Sequence, residues 1–253
     1  MRHRFAFLLL LFTHGARAQS AWGRPFVVGE RAEYDLKYGI IRAGTATLGV
    51  TGIDTVRDRP AYCFRLTTSG GVNLALYRYS IRDTMRSWVD TASFRTLRFN
   101  QDQMDGGRAR VKRYEIYPDR SVFTDGSKEE EPSVSDPLDE IAFLFFVRSQ
   151  PLEVGATQTW SRYFKPKSNP VTLTVLRRDT IEAAGRLWPT IVVRPVIKTS
   201  SLFAEGAEAQ VWIADDPSRV IVQVNTKLKV GSITMRLRSY NAPNRAASTA
   251  ARH

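Results

Sequence analysis

Apolar and polar residues alternate with a period of two along much of the chain. From Glu33 to Tyr38 every second residue is apolar or aromatic. This spacing predicts a half-buried strand with Tyr34, Leu36 and Tyr38 on one face. The pattern returns, between turn signals, at 44–50, 62–66, 76–81, 97–99, 108–117, 157–164, 171–175, 189–197, 211–213, 220–224 and 233–238. Short strands therefore dominate the predicted structure.

About 12 to 14 strands follow one another at spacings of about 8–14 residues, which is typical of an all-β protein. Because short turns join them, neighbouring strands are expected to be antiparallel. The expected architecture is a large curved sheet, a sandwich or a half-open barrel. Residues 127–137 interrupt the pattern, but the buried helix expected just after them favours one core. We therefore expect a single β-rich domain over residues 19–240.

One buried helix is expected near residues 137–148. Residues 135–137, Ser-Asp-Pro, provide a capping residue and a proline for the first turn, and Asp139 and Glu140 suit the positive end of the helix dipole. Apolar residues between 138 and 147 occupy more than one side of this helix, which indicates burial on several sides. It is expected to cover the sheet as a plug or lid.

The two ends of the chain lack the alternating pattern of the middle. Residues 1–18 combine a basic start, an apolar run at 5–12 and a small-x-small site ending at Ala18, which predicts a cleavable signal peptide. The apolar run is shorter than the roughly 20 residues that a membrane-spanning helix needs. We therefore expect an exported protein, periplasmic or outer-membrane-associated, with no transmembrane span after cleavage. Residues 241–253 are small and polar and are expected to form a disordered tail.

The net charge favours anionic partners. The chain carries 37 basic and 25 acidic residues, for a net charge of +12, and signal cleavage removes three arginines and no acid, which leaves +9. Such a charge attracts polyanions. Outside the cytoplasm these are lipid headgroups, lipopolysaccharide phosphates and acidic glycans, whereas nucleic acid is not an expected partner of an exported protein.

Histidine and cysteine usage narrows the possible chemistry. The three histidines are His3, His14 and His253, so residues 19–252 contain none. This argues against Ser-His-Asp and Cys-His catalysis and against histidine-rich zinc sites. Cys63 is the only cysteine and is expected to be a sheltered thiol within a strand. The sequence contains no metal-ligand spacing, glycine-rich phosphate loop or nucleophile elbow, so no metal or cofactor is expected.

Two groups of residues are candidates for binding. Aromatic residues at strand spacing are candidates for a ligand cavity, although such residues usually fill a core; they are Tyr34, Tyr38, Tyr62, Phe64, Tyr77 and Tyr79. Basic residues are candidates for contact with an anionic surface, although most basic strand faces are simply solvated. They form a first cluster of Arg108, Arg110, Lys112 and Arg113 and a second of Lys227, Lys229, Arg236 and Arg238.

Acidic residues offer an alternative function. Asp215 and Asp216, with Glu30 and Asp83, are the acids available for a carboxylate-based hydrolase of envelope glycans. However, Asp-Asp-Pro-Ser between two apolar strands is more simply a turn whose side chains bond the local backbone. Glu30 is expected to begin a strand.

The chain resembles a bacterial exported family, domain of unknown function 3108. The residues that carry the resemblance are Phe26, Gly29-Glu30, Tyr34-Asp35-Leu36, Tyr38-Gly39, Arg42-Ala43-Gly44, Ala46, Asp136-Pro137-Leu138, Leu152, Gly155, Trp212-Ile213, Asp215-Asp216 and Gly231-Ser232-Ile233. The resemblance spans about residues 26–240 and implies an exported, curved antiparallel sheet without an established activity. A looser likeness, to half-open β-barrels that carry lipoproteins, rests on predicted architecture alone.

Three functions follow as hypotheses. The first is a non-catalytic binding module for an apolar or amphipathic, or an anionic, envelope ligand, held in the curved sheet with the helix as part of its cover. The alternatives are the carboxylate-based hydrolase and a purely structural or interaction protein that uses strand edges and its basic face.

Overall fold

The computed structural model describes residues 24–74, 77–105, 108–127, 129–197, 208–227 and 231–243. The predicted signal peptide at 1–18 lies outside the described residues, as do residues 244–253 of the predicted tail. Asn241, the first residue assigned to that tail, ends the last strand. Within the described ranges, no helix has the length and apolar character needed to cross a membrane.

The described residues form 14 strands. The first eight are β1 (Arg31–Tyr38), β2 (Ile41–Val56), β3 (Arg59–Leu74), β4 (Tyr77–Asp90), β5 (Thr96–Asp105), β6 (Arg108–Tyr117), β7 (Val122–Thr124) and β8 (Glu131–Pro132). The other six are β9 (Thr157–Trp160), β10 (Val171–Ala183), β11 (Arg186–Val196), β12 (Gln210–Ala214), β13 (Ile221–Lys227) and β14 (Ser232–Asn241). The helical segments are α1 (Glu140–Arg148) and two 3-10 turns, Pro118–Arg120 and Pro166–Ser168.

All of these strands belong to one sheet, in the order β8-β7-β6-β5-β4-β3-β2-β1-β14-β13-β12-β11-β10-β9. Neighbouring strands are antiparallel, as in the central pairs β1–β14, β1–β2 and β3–β4. The edge strands β8 and β9 have no strand partner on their outer sides in this part of the chain, so the sheet curves without closing. The expected all-β antiparallel fold is thus confirmed, and its form is a single large curved sheet.

Irregular segments connect the two edges of the sheet. Leu138 and Tyr163 form an isolated bridge, and the Leu138 amide donates to the Arg162 carbonyl at 2.6 Å. The Ser133 hydroxyl donates to the Phe164 carbonyl at 2.7 Å. These bonds hold residues 161–164, after β9, against residues 133–138, after β8.

The helix α1 begins three residues later than predicted. Its N-cap is Asp139, whose side chain accepts hydrogen bonds from the amides of Ile141 and Ala142. The Asp139 carboxylate also accepts from the Ser87 and Thr96 hydroxyls, at 2.5 and 2.9 Å. Because these four donors hold Asp139 between the sheet and the helix, the first turn cannot start at Pro137.

The predicted burial of the helix is confirmed. Phe145 of α1 stacks on Phe64 of β3, with ring centroids 3.9 Å apart, and the Phe26 ring meets both edge-on. We call the sheet face that packs against α1 the inner face. Side chains alternate between this face and the outer face, and the main core lies on the inner face.

The sheet has two unlike ends. At the helix end, Arg148 of α1 donates to the carbonyl of Ser218 in the β12–β13 turn, and Phe146 packs near Phe94 in the β4–β5 loop. At the opposite, hairpin end, β1, β3 and β5 end and β2, β4 and β6 begin, because consecutive strands run antiparallel. The helix therefore plugs only one end of the curved sheet.

Candidate binding site

Three cations form a row on the inner face of β6. The register of β5 and β6 pairs Lys112 with Gln101 and Tyr114 with Phe99. Tyr114 is buried in the main core, so Lys112, Arg110 and Arg108, at successive alternate positions, share its face. The row, which we call the basic row, runs from the hairpin end towards the core and remains exposed.

The basic row has no ion-pair partner among the described residues, unlike several cations on the outer face. There, Arg113 and Arg86 both pair with Asp102. Exposed ion pairs add little stability, but they neutralise charge locally. The inner face of β6 therefore presents three exposed cations that form no ion pair with the described residues, although the Glu140 carboxyl group lies near Lys112.

A cavity of about 210 Å³ lies at the inner end of the basic row. It is lined by Phe99, Gln101, Lys112, Tyr114, Glu140, Tyr163, Phe164, Lys165 and Ser168. The volume is somewhat below the roughly 300–1,000 Å³ of typical drug-sized sites. It suits the polar head of a ligand better than a whole ligand.

Lys165 gives the cavity a second cation beside Lys112. Its ammonium group donates to the Tyr114 hydroxyl at 3.0 Å and lies 4.5 Å from the centre of that ring. The rings of Phe164 and Phe123 are also near, at 5.4 and 5.7 Å. Cation–π contacts of this kind position an ammonium group without removing its charge.

Glu140, the first residue of α1, supplies the acidic side of the cavity. Its Oε1 accepts a hydrogen bond from the Tyr163 hydroxyl at 2.6 Å, and its Oε2 is buried without a hydrogen-bond partner among the described residues. Burial raises the pKa of Glu140, against the opposing effects of Tyr163, Lys165 and Lys112. Burial also raises the pKa of Tyr163, so its hydroxyl remains protonated and donates.

Replacing Tyr163 with phenylalanine should lower the free energy of unfolding by about 1–3 kcal/mol when Glu140 is ionised, because a buried carboxylate loses its donor. In the folded protein the pKa of Glu140 is higher than its usual value of 4.5, so the folded state favours the protonated carboxyl group. The stability that this protonation contributes is present below pH 4.5 and is lost as the pH rises through the raised pKa. Tyr163→Phe removes a hydrogen bond that lowers the pKa of Glu140 and so raises this pKa further. The loss in free energy of unfolding caused by the substitution should therefore grow with pH. Urea unfolding at about pH 4 and about pH 8 tests this. A cost that is the same at both pH values would contradict it.

Asp139, next to Glu140, has a structural role. Burial raises its pKa to about 6, although Ser87, the Ala142 amide and Thr96 act in the opposite direction. Both of its oxygens are occupied by the cap and by the two hydroxyls. It therefore fixes the start of α1 and leaves Glu140 as the acid at the cavity.

Most of the described aromatic candidates lie in or beside the core. Tyr34 is fully buried, and its hydroxyl donates to the Ile221 carbonyl at 3.0 Å. Phe64 lies under α1, and half-buried Tyr62 packs against it and Phe26. Tyr38 ends β1 at the hairpin end. The side chains of Tyr77 and Tyr79 lie outside the described residues. A cavity-lining role for this group stays a prediction.

The structure separates the predicted basic residues. Arg113 follows Lys112 on β6 and therefore points to the outer face. Arg236 and Arg238 also lie on the outer face, where they donate to Gln223 at 2.7 Å and to Glu33 at 2.8 Å. In the second predicted cluster, Lys227 pairs with Glu208 at 2.8 Å, and Lys229 lies outside the described residues.

The acids considered for hydrolysis are engaged elsewhere. Asp215 pairs with Arg178, and Asp216 accepts from the amide and hydroxyl of Ser218, as expected for a turn. Asp83 accepts from the Met104 amide at 3.2 Å. Glu30, just before β1, forms a buried pair with Arg148. Across the described ranges, no group of three or more His, Cys, Asp or Glu side chains could hold a metal ion.

The roles of Lys165, Tyr163 and Glu140 at the cavity were not evident from the local sequence pattern. Residues 157–164 were expected to form one strand, but β9 ends at Trp160 and the chain then turns towards α1. Glu140 was assigned only to the helix dipole.

Comparisons with known proteins agree with this architecture. The model of a family described as "Protein of unknown function (DUF3108)" matches residues 33–238. No curated protein matches the chain. Among solved structures, the fold is similar to a β-barrel-like protein of domain of unknown function DUF1849 from Brucella abortus. The TM-score is 0.61 at 10% identity, over 87% of this chain and 99% of that one. At this identity the likeness concerns the fold alone.

Proposed function

Because the chain belongs to the DUF3108 family of unknown function, we propose its role from its geometry: it is a non-catalytic binding module for an anionic amphipath. The observation that carries this proposal is the basic row. Arg108, Arg110 and Lys112 lie on the inner face without an ion-pair partner among the described residues and lead to the cavity that contains Lys165. Four cations beside one cavity, against the single carboxyl group of Glu140, favour an anionic head group.

The inner face also offers an apolar surface for the rest of such a ligand. The strand registers align Lys112 with Gln101, Met85 and Leu66 in one lateral row across β6, β5, β4 and β3. Met85 and Leu66 are half-buried and pack against the core. At about 4.8 Å between strands, the row from Lys112 to Leu66 is about 14 Å long. An amphipath lying across the strands places its head at Lys112 and its chain on Met85 and Leu66.

The core beneath α1 is not the proposed site for the acyl chain of the ligand. The space there, bounded by Phe143, Leu144 and Val147 of the helix, amounts to only about 10 Å³. A volume of this size holds about one water molecule. We therefore place the acyl chain of the ligand on the part of the inner face between α1 and the hairpin end.

The proposed setting is the bacterial envelope. The signal expected at residues 1–18 supports export, and the net charge of +9 expected after its cleavage suits an environment rich in anionic headgroups. The positions of Asp215, Asp216 and Asp83 do not support the alternative of a glycan hydrolase, which needs two carboxylates across an open cleft.

Binding of two lysophospholipids with the same acyl chain tests the function. Lysophosphatidic acid has an anionic head, whereas lysophosphatidylcholine carries a compensating ammonium group. Titration calorimetry and native mass spectrometry, with both ligands below their micelle concentrations, should show a one-to-one complex with lysophosphatidic acid. We expect its affinity to be about fivefold higher, as one additional charge contact contributes about 1 kcal/mol. Equal affinities, or no complex with either, would overturn the proposal.

A further inference from the structure

The β1–β2 hairpin exposes two isoleucines at its tip. Ile40 is 96% exposed and Ile41 is 45% exposed, and Ile40 is the most exposed large apolar residue in the described part of the chain. Gly39, with φ of +57°, makes the tight turn that projects them. The tip contributes nothing to the main core, so its apolar side chains have no structural role in the isolated chain.

Two cations flank this tip. Lys37 and Arg42 flank it on the two strands of the hairpin, and both are exposed. Arg42 pairs with Asp35 at 3.2 Å, whereas no ion pair of Lys37 is found among the described residues. By the strand registers, Arg108 at the start of β6 lies level with Leu36 of β1 and is therefore set back from the tip. The hairpin end therefore combines a protruding apolar tip with unpaired positive charge.

We propose that the hairpin end docks on an anionic lipid bilayer, with Ile40 and Ile41 inserted at the headgroup boundary and Lys37 and Arg42 facing lipid phosphates. Apolar side chains that enter this boundary beside basic residues bind through buried apolar area and through attraction to anionic lipids. Charge complementarity selects the occupant, because Lys37 and Arg42 flank the tip and the protein carries +9 after the expected cleavage of residues 1–18.

This inference rests on the proposed function and extends it. The basic row begins at Arg108, at the docked end, and leads inward to the cavity at Lys112 and Lys165. The helix plugs the opposite end through Arg148 and Ser218. The bilayer that receives the hairpin end is therefore also the source of the anionic amphipath, which enters from that end.

A matched pair of variants tests the docking. Ile40→Ser removes the apolar tip, while Leu187→Ser removes another exposed apolar residue, 68% exposed, beside the β10–β11 turn at the helix end. Co-sedimentation uses phosphatidylcholine vesicles with and without about 30% phosphatidylglycerol, a fraction high enough to set a negative surface potential. The unaltered protein should bind the anionic vesicles preferentially. Ile40→Ser should weaken that binding about tenfold through lost apolar burial, and Leu187→Ser should leave it unchanged.

Binding of lysophosphatidic acid in solution separates the two proposals. Ile40→Ser should bind this ligand as the unaltered protein does, because Ile40 lies away from the cavity. If both variants sediment with vesicles equally, or the unaltered protein does not bind anionic vesicles, docking is overturned while ligand binding still stands. If the unaltered protein sediments with vesicles but binds no lysophosphatidic acid, the proposed function fails instead, and with it the path of entry.

Discussion

Replacing Arg148 with methionine is expected to lower the free energy of unfolding by about 3–5 kcal/mol. The guanidinium group of Arg148, at the end of α1, donates to both carboxylate oxygens of Glu30 at 2.5 and 3.2 Å. The side chains are only 2% and 3% exposed. The Tyr240 hydroxyl donates to Glu30 at 3.2 Å, and the Ser218 carbonyl accepts from Arg148 at 2.9 Å.

The expected loss is large because methionine leaves the Glu30 carboxylate buried without its counter-charge. A buried ion pair can be replaced by apolar residues at little cost, whereas the removal of one partner is costly. The double variant Glu30→Leu with Arg148→Met should therefore recover most of the lost stability. Equilibrium unfolding in urea measures all of these differences.

The control is an exposed pair of the same type. Arg178 pairs with Asp215, and their side chains are 68% and 23% exposed. Arg178→Met should cost at most about 1 kcal/mol, because solvent screens an exposed pair. If Arg148→Met costs no more than Arg178→Met, the pair does not anchor the helix to the end of the sheet as described.

Neutralising the basic row is expected to weaken binding of lysophosphatidic acid about 100-fold. The variant changes Arg108, Arg110 and Lys112 to glutamine, and each contact of a cation with an anionic head contributes about 1 kcal/mol. Glutamine is polar and uncharged, and all three positions are exposed, so the fold should be retained. Titration calorimetry measures the change, and circular dichroism checks the fold.

The matched control removes the same charge from the outer face. Arg65, Arg82 and Arg194 are exposed on β3, β4 and β11, and their change to glutamine also lowers the net charge by three. This control should bind lysophosphatidic acid within about twofold of the unaltered protein, because general attraction over longer distances is screened by salt. Equal losses in the two triple variants would show that net charge, rather than the basic row, controls binding.

Local pattern in the sequence determined the strands, their antiparallel order and the buried helix. Alternation follows from the geometry of an extended chain, in which successive side chains point to opposite faces. The same rule separates Arg113 from Lys112, although nearness in sequence had grouped them as one basic cluster. The start of α1 at Glu140 depended instead on Ser87 and Thr96, which are distant along the chain.

Only the tertiary structure decided which of these elements meet. Glu30 and Arg148 are 118 positions apart, and the sequence around Glu30 indicates only the start of a strand. Lys112 and Lys165 line one cavity because the segment after β9 turns back beneath α1 and β6. Side-chain alternation is a property of neighbouring residues, whereas contacts such as these arise when the sheet curves and brings distant segments together. The sequence therefore determined the faces of the sheet, and the curvature determined where charge accumulates on them.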